Sequence, residues 1–438
     1  MKTVTITPVE ALDRASLQAR QASRLAEVLA YNYGRNPFLT AKLDAAGARP
    51  SSLDFARAFE TSLRRLPFTT KGELIEDQQV HPPWGTAFSE PIGAYSRYCQ
   101  TSSTTGTPLR WCDTNETWQW MLECWKTVFR AAHVDSGDRI FFPFSFGPFL
   151  GFWTAFEAGC QMGAHSVPGG GMSSQVRLKL IETIGATVVC CTPTYALWLA
   201  EVAAAHNVRP LAESTVHTLI VAGEPGGSIH ATRDRIESSW GARVIDHHGL
   251  TETGPISFEC RESPGALHIN EAEYIAEVVD PESGEPVPDG ERGELVVTNL
   301  GRIHSPVVRY RSRDIVVRRS GTCVCGRIWA RLEGGILARA DDMINIRGVN
   351  VYPAAIEAVV RRFVEIVEFR STAARSGSMW ALAIEVEPAP GTVDIATIPS
   401  RLGNQLREAL GLTVPVYLVE PGGLPRFEMK ARRFVVKG

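Results

Sequence analysis

Between residues 139 and 246, short apolar runs alternate with longer stretches whose apolar residues recur at helical spacing. Arg139–Pro143, Ala164–Pro168, Ala186–Cys191, Val216–Ala222 and Arg243–Asp246 read as strands. Pro148–Gly163, Ser173–Ile184, Tyr195–His206 and Ile229–Trp240 read as helices. This alternation predicts a parallel sheet with helices on its faces and right-handed crossovers. Upstream, Leu17–Tyr33 and Thr114–Ala132 carry helical spacing. From residue 255 the character changes to strands punctuated by Gly, Pro and charge: Glu273–Val279, Gly293–Thr298 and Val307–Tyr310. The turn Pro281-Glu282-Ser283-Gly284 suits a hairpin. A β-rich subdomain is therefore expected over about 255–335. The tail reads helix, strand, strand, helix, strand: Pro353–Phe363, Val364–Arg370, Ala381–Val386, Ala396–Leu410 and Val414–Val419. The expectation is an α/β protein with a large N-terminal domain, residues 1–340, and a small α+β domain, residues 341–438.

Composition narrows the class. Hydrophobic residues are 44% and charged residues 21% of the chain, as in soluble globular proteins. A net charge of −3 gives no electrostatic case for nucleic acid or an anionic membrane. No apolar run approaches the roughly 20 residues that span a bilayer, and the N-terminus lacks a signal-peptide core. A cytoplasmic location is expected. Nine cysteines, an odd number, several of them in apolar runs such as Val188-Val189-Cys190-Cys191, read as packed free thiols.

Candidate chemistry gathers at strand ends, where open α/β sheets bind ligands. After Val244-Ile245-Asp246 comes His247-His248-Gly249-Leu250-Thr251-Glu252. A Thr hydroxyl there can meet a phosphate oxygen, and a Glu can hold Mg²⁺. After Leu219–Ala222 comes Gly223-Glu224-Pro225-Gly226-Gly227, where glycine permits close approach to a flat base. The run Thr101-Ser102-Ser103-Thr104-Thr105-Gly106 is rich in hydroxyls and fits either a phosphate cradle or a flexible linker.

Six stretches, in order, resemble the adenylate-forming superfamily of acyl-CoA synthetases, adenylation domains and luciferases. They are Ser102–Pro108, Gly223–Pro225, Asp246–Glu252, Arg309–Asp314, Arg339–Gly348 and Leu424–Lys430. The segment Asp342–Pro353 points to the phenylacetate–coenzyme A ligase branch. The resemblance implies that ATP and a carboxylic acid form an acyl-adenylate, and that coenzyme A then displaces AMP. By resemblance, Ser102, Ser103, Thr104, Thr105 and Gly106 surround the phosphates. Gly223, Glu224 and Pro225 line the adenine, with Asp246, His247, His248 and Gly249 beside it. Thr251 contacts the α-phosphate, Glu252 holds Mg²⁺, and Asp314 takes the ribose hydroxyls. Arg339 contacts ribose or phosphate, and Asp341 is the hinge of a mobile small domain. Lys430 bridges acid and α-phosphate, while Gly348 lines the coenzyme A channel in the alternate arrangement. Five positions depart from the family's pattern: Ser103, Arg313 and Ala338 replace glycines, Thr107 replaces a basic residue, and His248 replaces a tyrosine.

Cys260, His268, Cys323 and Cys325 offer four soft ligands suited to tetrahedral zinc. The C-x-C spacing is tighter than usual, so packed thiols remain an alternative; a similar quartet in the phenylacetate branch favours a structural zinc. Phe144, Phe146 and Gly147 follow a strand end, and the resemblance places them, with Gly170, around the acyl group. An aromatic lining suits an aryl or arylacetic acid. The leading reading is thus an aryl-acid–CoA ligase. An adenylating enzyme serving a carrier-protein thiol or an amine is the alternative, followed by a degenerate nucleotide-binding homologue. A homodimer is implied by resemblance only.

Overall fold

Apart from the edge strand His165–Pro168, the parallel strands are largely buried on both faces, which is why they read as near-continuous apolar runs. In the computed structural model, which describes residues 6–101, 107–206, 209–346, 349–376, 379–427 and 431–437, their spatial order is His165–Pro168, Arg139–Phe142, Val188–Cys191, Thr218–Ala222 and Arg243–Leu250. Ile140, Phe142, Ile220 and Ile245 pack on one face against Asn115–Ala131 and Trp153–Gln161. Phe141, Val189, Val221 and Val244 pack on the other against Ser174–Ile184, Pro193–Ala205 and His230–Trp240. Helices on both faces of a parallel sheet match the expectation.

The strand expected to stop at Asp246 continues to Leu250. Its extension is zipped to Gly254–Glu259 in antiparallel register, His247 opposite Phe258 and His248 opposite Ser257, with an irregularity before Gly249. A Cβ on Gly249 would lie 2.6 Å from the Gly254 carbonyl oxygen, so the strand can close here only on glycine. Through this pair the expected β-rich strands join the same sheet, which reaches twelve strands.

Two other boundaries move. The helix expected from Pro148 begins only at Trp153, because Phe146 (φ 50°) and Gly151 (φ 38°) hold a non-helical path. The strand expected over Val307–Tyr310 begins at Tyr310 and runs to Arg319. Ahead of it, Arg309 sits at φ 44°, its carbonyl accepting from the Thr69 amide at 3.0 Å.

The small domain has its own core, including Ile346, Val351, Ile356, Phe369, Leu382 and Leu402. Its four-stranded sheet runs Val416–Leu418, Met379–Pro388, Ile366–Ser376, Phe434–Lys437. The last strand had no reading in the sequence. All nine cysteines are free, and eight are buried. No described helix is long and apolar enough to cross a membrane.

The N-terminal segment is stapled to the body by Glu10, which is 1% exposed. It accepts from Arg130 Nη2 at 2.6 Å and from Arg327 Nε at 3.0 Å. Removing one partner strands buried charge. Glu10→Ala should therefore lower stability by about 3–5 kcal/mol, read as a fall in the thermal midpoint.

Candidate active site

The site is built on the last residues of the Arg243–Leu250 strand and the turn that follows. Strand alternation sends Asp246 and His248 to one face and His247 to the other. His248 Nε2 lies 3.0 Å from Asp314 Oδ2, and its Nδ1 lies 3.3 Å from the Ser257 hydroxyl. Asp314 pairs with Arg339 across adjacent strands, and Arg339 Nη1 reaches its other oxygen at 3.4 Å. Burial alone would raise the Asp314 carboxyl, but hydrogen bonding and charge from His248, with the charge of Arg339, hold it below the usual carboxylate range. An ionised carboxylate flanked by donors is what a ribose diol needs. Arg339 also grips Asp341 with two bonds of 3.0 Å.

The expected adenine loop lies over Asp246. Gly223 has φ 94°, and Ser228 donates to Asp246 Oδ2 at 2.5 Å. A Cβ on Gly227 would come within 2.5 Å of Asp246, so the loop's close approach requires glycine. Asp246 is buried, which pushes its carboxyl up. Burial likewise raises Glu224. Its two oxygens accept from the Thr194 amide and the Ala431 amide, each at 2.8 Å. The residue directly after Lys430 is thereby anchored on the expected adenine loop.

The turn carries Thr251 and Glu252. Glu252 is 3% exposed and accepts from the Tyr310 hydroxyl at 3.1 Å. Lys71 Nζ stands 3.6 Å from the same oxygen. The Thr251 carbonyl accepts from Arg302 Nη1 at 2.7 Å. Arg302 is fully buried, and its Nε donates to Asp113 at 2.7 Å.

On the opposite face lies the aromatic wall. Phe144 and Phe146 meet at 5.5 Å, Phe146 and Trp153 at 4.8 Å. A Cβ on Gly170 would sit 3.1 Å from the Phe144 carbonyl, which brings Gly170 against this segment as expected. Beside Gly147 a cavity of about 400 Å³ opens, lined also by Arg97, Tyr98, Trp118, Trp153 and Glu157. The expected phosphate loop Ser102–Gly106, Gly348 and Lys430 lie outside the described residues.

Cys260, His268, Cys323 and Cys325 converge, all buried, with their ligand atoms within 4.8 Å of one another. Cys260 and Cys323 sulfurs are 3.8 Å apart, and Cys325 sulfur is 3.5 Å from His268 Nε2. A tetrahedral zinc with bonds of about 2.0–2.3 Å sets ligand separations of roughly 3.5–3.8 Å. The quartet fits such an ion.

A family model described as AMP-binding enzyme matches residues 64–301, and one described as AMP-binding enzyme C-terminal domain matches residues 348–437. The chain belongs to the AMP-binding enzyme family. It is an acid–thiol ligase of that family. It is 32% identical to the phenylacetate-coenzyme A ligase of Thermus thermophilus, covering 96% of each chain. It is 30% identical to that of Escherichia coli, covering 98% of this chain and 96% of the relative. Among solved structures, 2-hydroxyisobutyryl-CoA ligase with 2-HIB-AMP in the postadenylation state superposes at TM-score 0.92, with 28% identity, over 98% of this chain and 91% of the other. The same ligase with 2-HIB-AMP and CoA in the thioesterification state gives 0.74, with 29% identity and the same coverage.

Three residues of this AMP-binding enzyme escaped the sequence reading: Lys71, Arg302 and Tyr310. Only Tyr310 lay inside a matched stretch. Lys71 follows Thr70, which caps the helix Lys71–Val80, and a Thr-Lys pair at a helix start carries no signal of its own. Arg313, where the resemblance led to an expectation of glycine, adopts φ 66°, a backbone state that costs a side-chain-bearing residue about 1–3 kcal/mol. Ala338 lies in a strand, where no glycine is required.

Arg302 positions the turn without being placed to touch substrate. Arg302→Met should cost about 3–5 kcal/mol of stability by stranding Asp113. In the protein that still folds, it should lower kcat/KM by about 10²-fold through a displaced Thr251. Thermal denaturation and steady-state ligation measure the two effects.

Proposed function

We propose that this chain is an ATP- and Mg²⁺-dependent ligase that joins an aryl or arylacetic acid to coenzyme A through an acyl-adenylate. The observation that carries the reading is the strand end itself. Its one face presents Asp314, His248 and Arg339, its other an aromatic wall, and its turn Thr251 and Glu252. The likeness to phenylacetate-coenzyme A ligases supports the choice of acid and thiol.

The acid's carboxylate attacks the α-phosphorus and pyrophosphate leaves; the thiol of coenzyme A then attacks the acyl carbon and AMP leaves. An anion must meet a polyanion, so donors and positive charge must be fixed in advance where charge develops. Asp314 holds the ribose, Gly223, Glu224 and Pro225 line the adenine, and Thr251 meets the α-phosphate. Glu252 would hold Mg²⁺, which offsets phosphate charge when bound. Lys71, beside Glu252, supplies a cation near the pyrophosphate, where the family's basic residue is replaced by Thr107. Ser102 to Gly106 surround the outer phosphates. Lys430 bridges the acid and the α-phosphate.

The small domain turns about Asp341, at the end of the 1–340 body, to exchange Lys430 for Gly348. The Ala431–Glu224 bond fits the arrangement that presents Lys430. Carboxylate-dependent exchange of labelled pyrophosphate into ATP tests adenylation; no exchange with any acid leaves the degenerate, non-catalytic reading. AMP release that depends on coenzyme A separates this reading from one with a carrier-protein thiol or an amine as acceptor.

Lys430→Ala should reduce pyrophosphate exchange by about 10²-fold or more while thioester formation from a supplied acyl-adenylate stays near the unaltered rate. Equal loss in both half-reactions removes the two-arrangement assignment. The Cys260, His268, Cys323, Cys325 site would hold a structural zinc, since four protein ligands leave no position for water. Metal analysis of purified protein should find about one zinc per chain, and chelation should lower the thermal midpoint.

A further inference from the structure

The cavity of about 400 Å³ beside Gly147 is walled by a strand and a helix. The strand is Arg97–Gln100. Its near end runs through Thr101 into the expected phosphate loop, and Arg97 is its far end. The helix is Trp153–Gln161. Trp153 packs on Phe146 of the aromatic wall at 4.8 Å and donates from Nε1 to the Gly147 carbonyl at 3.0 Å. Glu157 follows one turn later on the same helix face. The Gln100 amide donates to the Pro148 carbonyl at 2.7 Å, which fastens the strand to this segment. Gly147 and Trp153 therefore line the aromatic end of the cavity. Arg97 and Glu157 line the end remote from the phosphate loop.

This remote end is polar. Trp118 Nε1 donates to Glu157 Oε2 at 2.8 Å, and Arg97 Nη2 stands 3.5 Å from the same oxygen. The Arg97 guanidinium lies over the Trp118 ring at 5.3 Å. Trp118 is 5% exposed, so its indole N–H needs an acceptor, and the bond fixes the carboxylate. Glu157 Oε1 takes no hydrogen bond from any described residue. The side chains of Arg97 and Glu157 are 40% and 30% exposed, and an ion pair so exposed contributes little to stability. An amide oxygen would satisfy Trp118 equally well. What the carboxylate adds is a second, unclaimed acceptor on a side chain that lines the cavity, with its charge balanced by Arg97.

We propose that this end of the cavity receives the tail of the acid, and that Glu157 accepts a hydrogen bond from a hydroxyl or aryl amine carried there, remote from the carboxylate that is activated. This rests on the adenylating reading above and deepens it. Because Arg97 already balances Glu157, a neutral donor completes the set, whereas a second carboxylate on the acid would face Glu157.

Pyrophosphate exchange with matched acids tests this. 4-Hydroxyphenylacetate is compared with phenylacetate and with 2-hydroxyphenylacetate, 4-aminobenzoate with benzoate, and 4-hydroxycinnamate with cinnamate. At least one remote donor should raise kcat/KM about tenfold over the plain acid, chiefly through KM, the scale of one hydrogen bond to a charged acceptor. The 2-substituted acid should not share that gain. Glu157→Leu should bring the ratio to about one. Glu157→Gln keeps an oxygen for Trp118 and leaves a neutral amide at the free position, so it should keep the thermal midpoint and lower the ratio several-fold. No gain from any remote donor, an equal gain from the 2-substituted acid, or a ratio that the variants leave intact overturns the proposal while the adenylating reading stands. Absence of exchange with every acid overturns both. Should Glu157→Leu not fold, Glu157→Gln decides.

Discussion

A guanidinium with no solvent contact holds the carbonyl of Thr251. Arg302 lies beneath the turn, matched by Asp113, and its charge has nowhere else to go. Burying such a pair costs desolvation that mutual attraction barely returns, so stability alone does not explain it. What it provides is fixity. In the proposed reading, the turn must keep a hydroxyl and a carboxylate in place while negative charge is brought towards them. A second buried pair acts on the strand leading in. Arg233 binds Glu259 and also the Val244 carbonyl at 2.9 Å, and Glu259 receives the Asp246 amide at 3.0 Å. The strand is pinned on both sides of His247 and His248.

The change from parallel to antiparallel pairing at this strand follows from the same need. A parallel strand ends in a loop, and a loop alone would hold Thr251 loosely. Here Gly254–Glu259 turns back and zips the last residues into the sheet, so the ligand-facing end keeps strand geometry. Strand geometry alternates side chains. One step along the backbone, from His247 to His248, therefore crosses from the aromatic wall to the carboxylate Asp314. In the proposed reading, acid and nucleotide meet across the thickness of a sheet.

Much of this was legible, and the reasons are local. Alternation of five apolar runs with amphipathic stretches is periodic, and period predicts elements. The ligand-facing stretches could be located because their glycines were visible, and Gly227 and Gly249 do sit at close approaches. What was not legible depends on distance along the chain. Arg302 and Asp113 are 189 positions apart, and neither has neighbours that mark it. The faces of His247 and His248 could be known only once the strand was seen to continue past Asp246, and that depends on a partner strand. The late start of the Trp153 helix had the same cause: the apolar spacing was there, but Phe146 and Gly151 take a path that spacing does not encode. The cysteine quartet was half legible, since ligand types were visible and convergence was not.

The contact between the two domains has a polarity that bears on motion. Arg433 places two nitrogens on Glu368 of its own domain and a third on the Thr194 hydroxyl at 3.0 Å. Arg426 is forked on Glu387, again within the small domain, and stands 3.4 Å from Glu201. Arg235 of the large domain reaches the Ile366 carbonyl at 3.0 Å. The closest carboxylate bonds of Arg433 and Arg426 are thus made at home, and the bonds across the interface are weaker extras. Separation would leave both arginines paired, avoiding the large penalty of stranded buried charge. An interface of this kind holds one arrangement without locking it. The alternating small domain proposed here needs that property, because Ala431 must be able to leave Glu224 once the adenylate has formed.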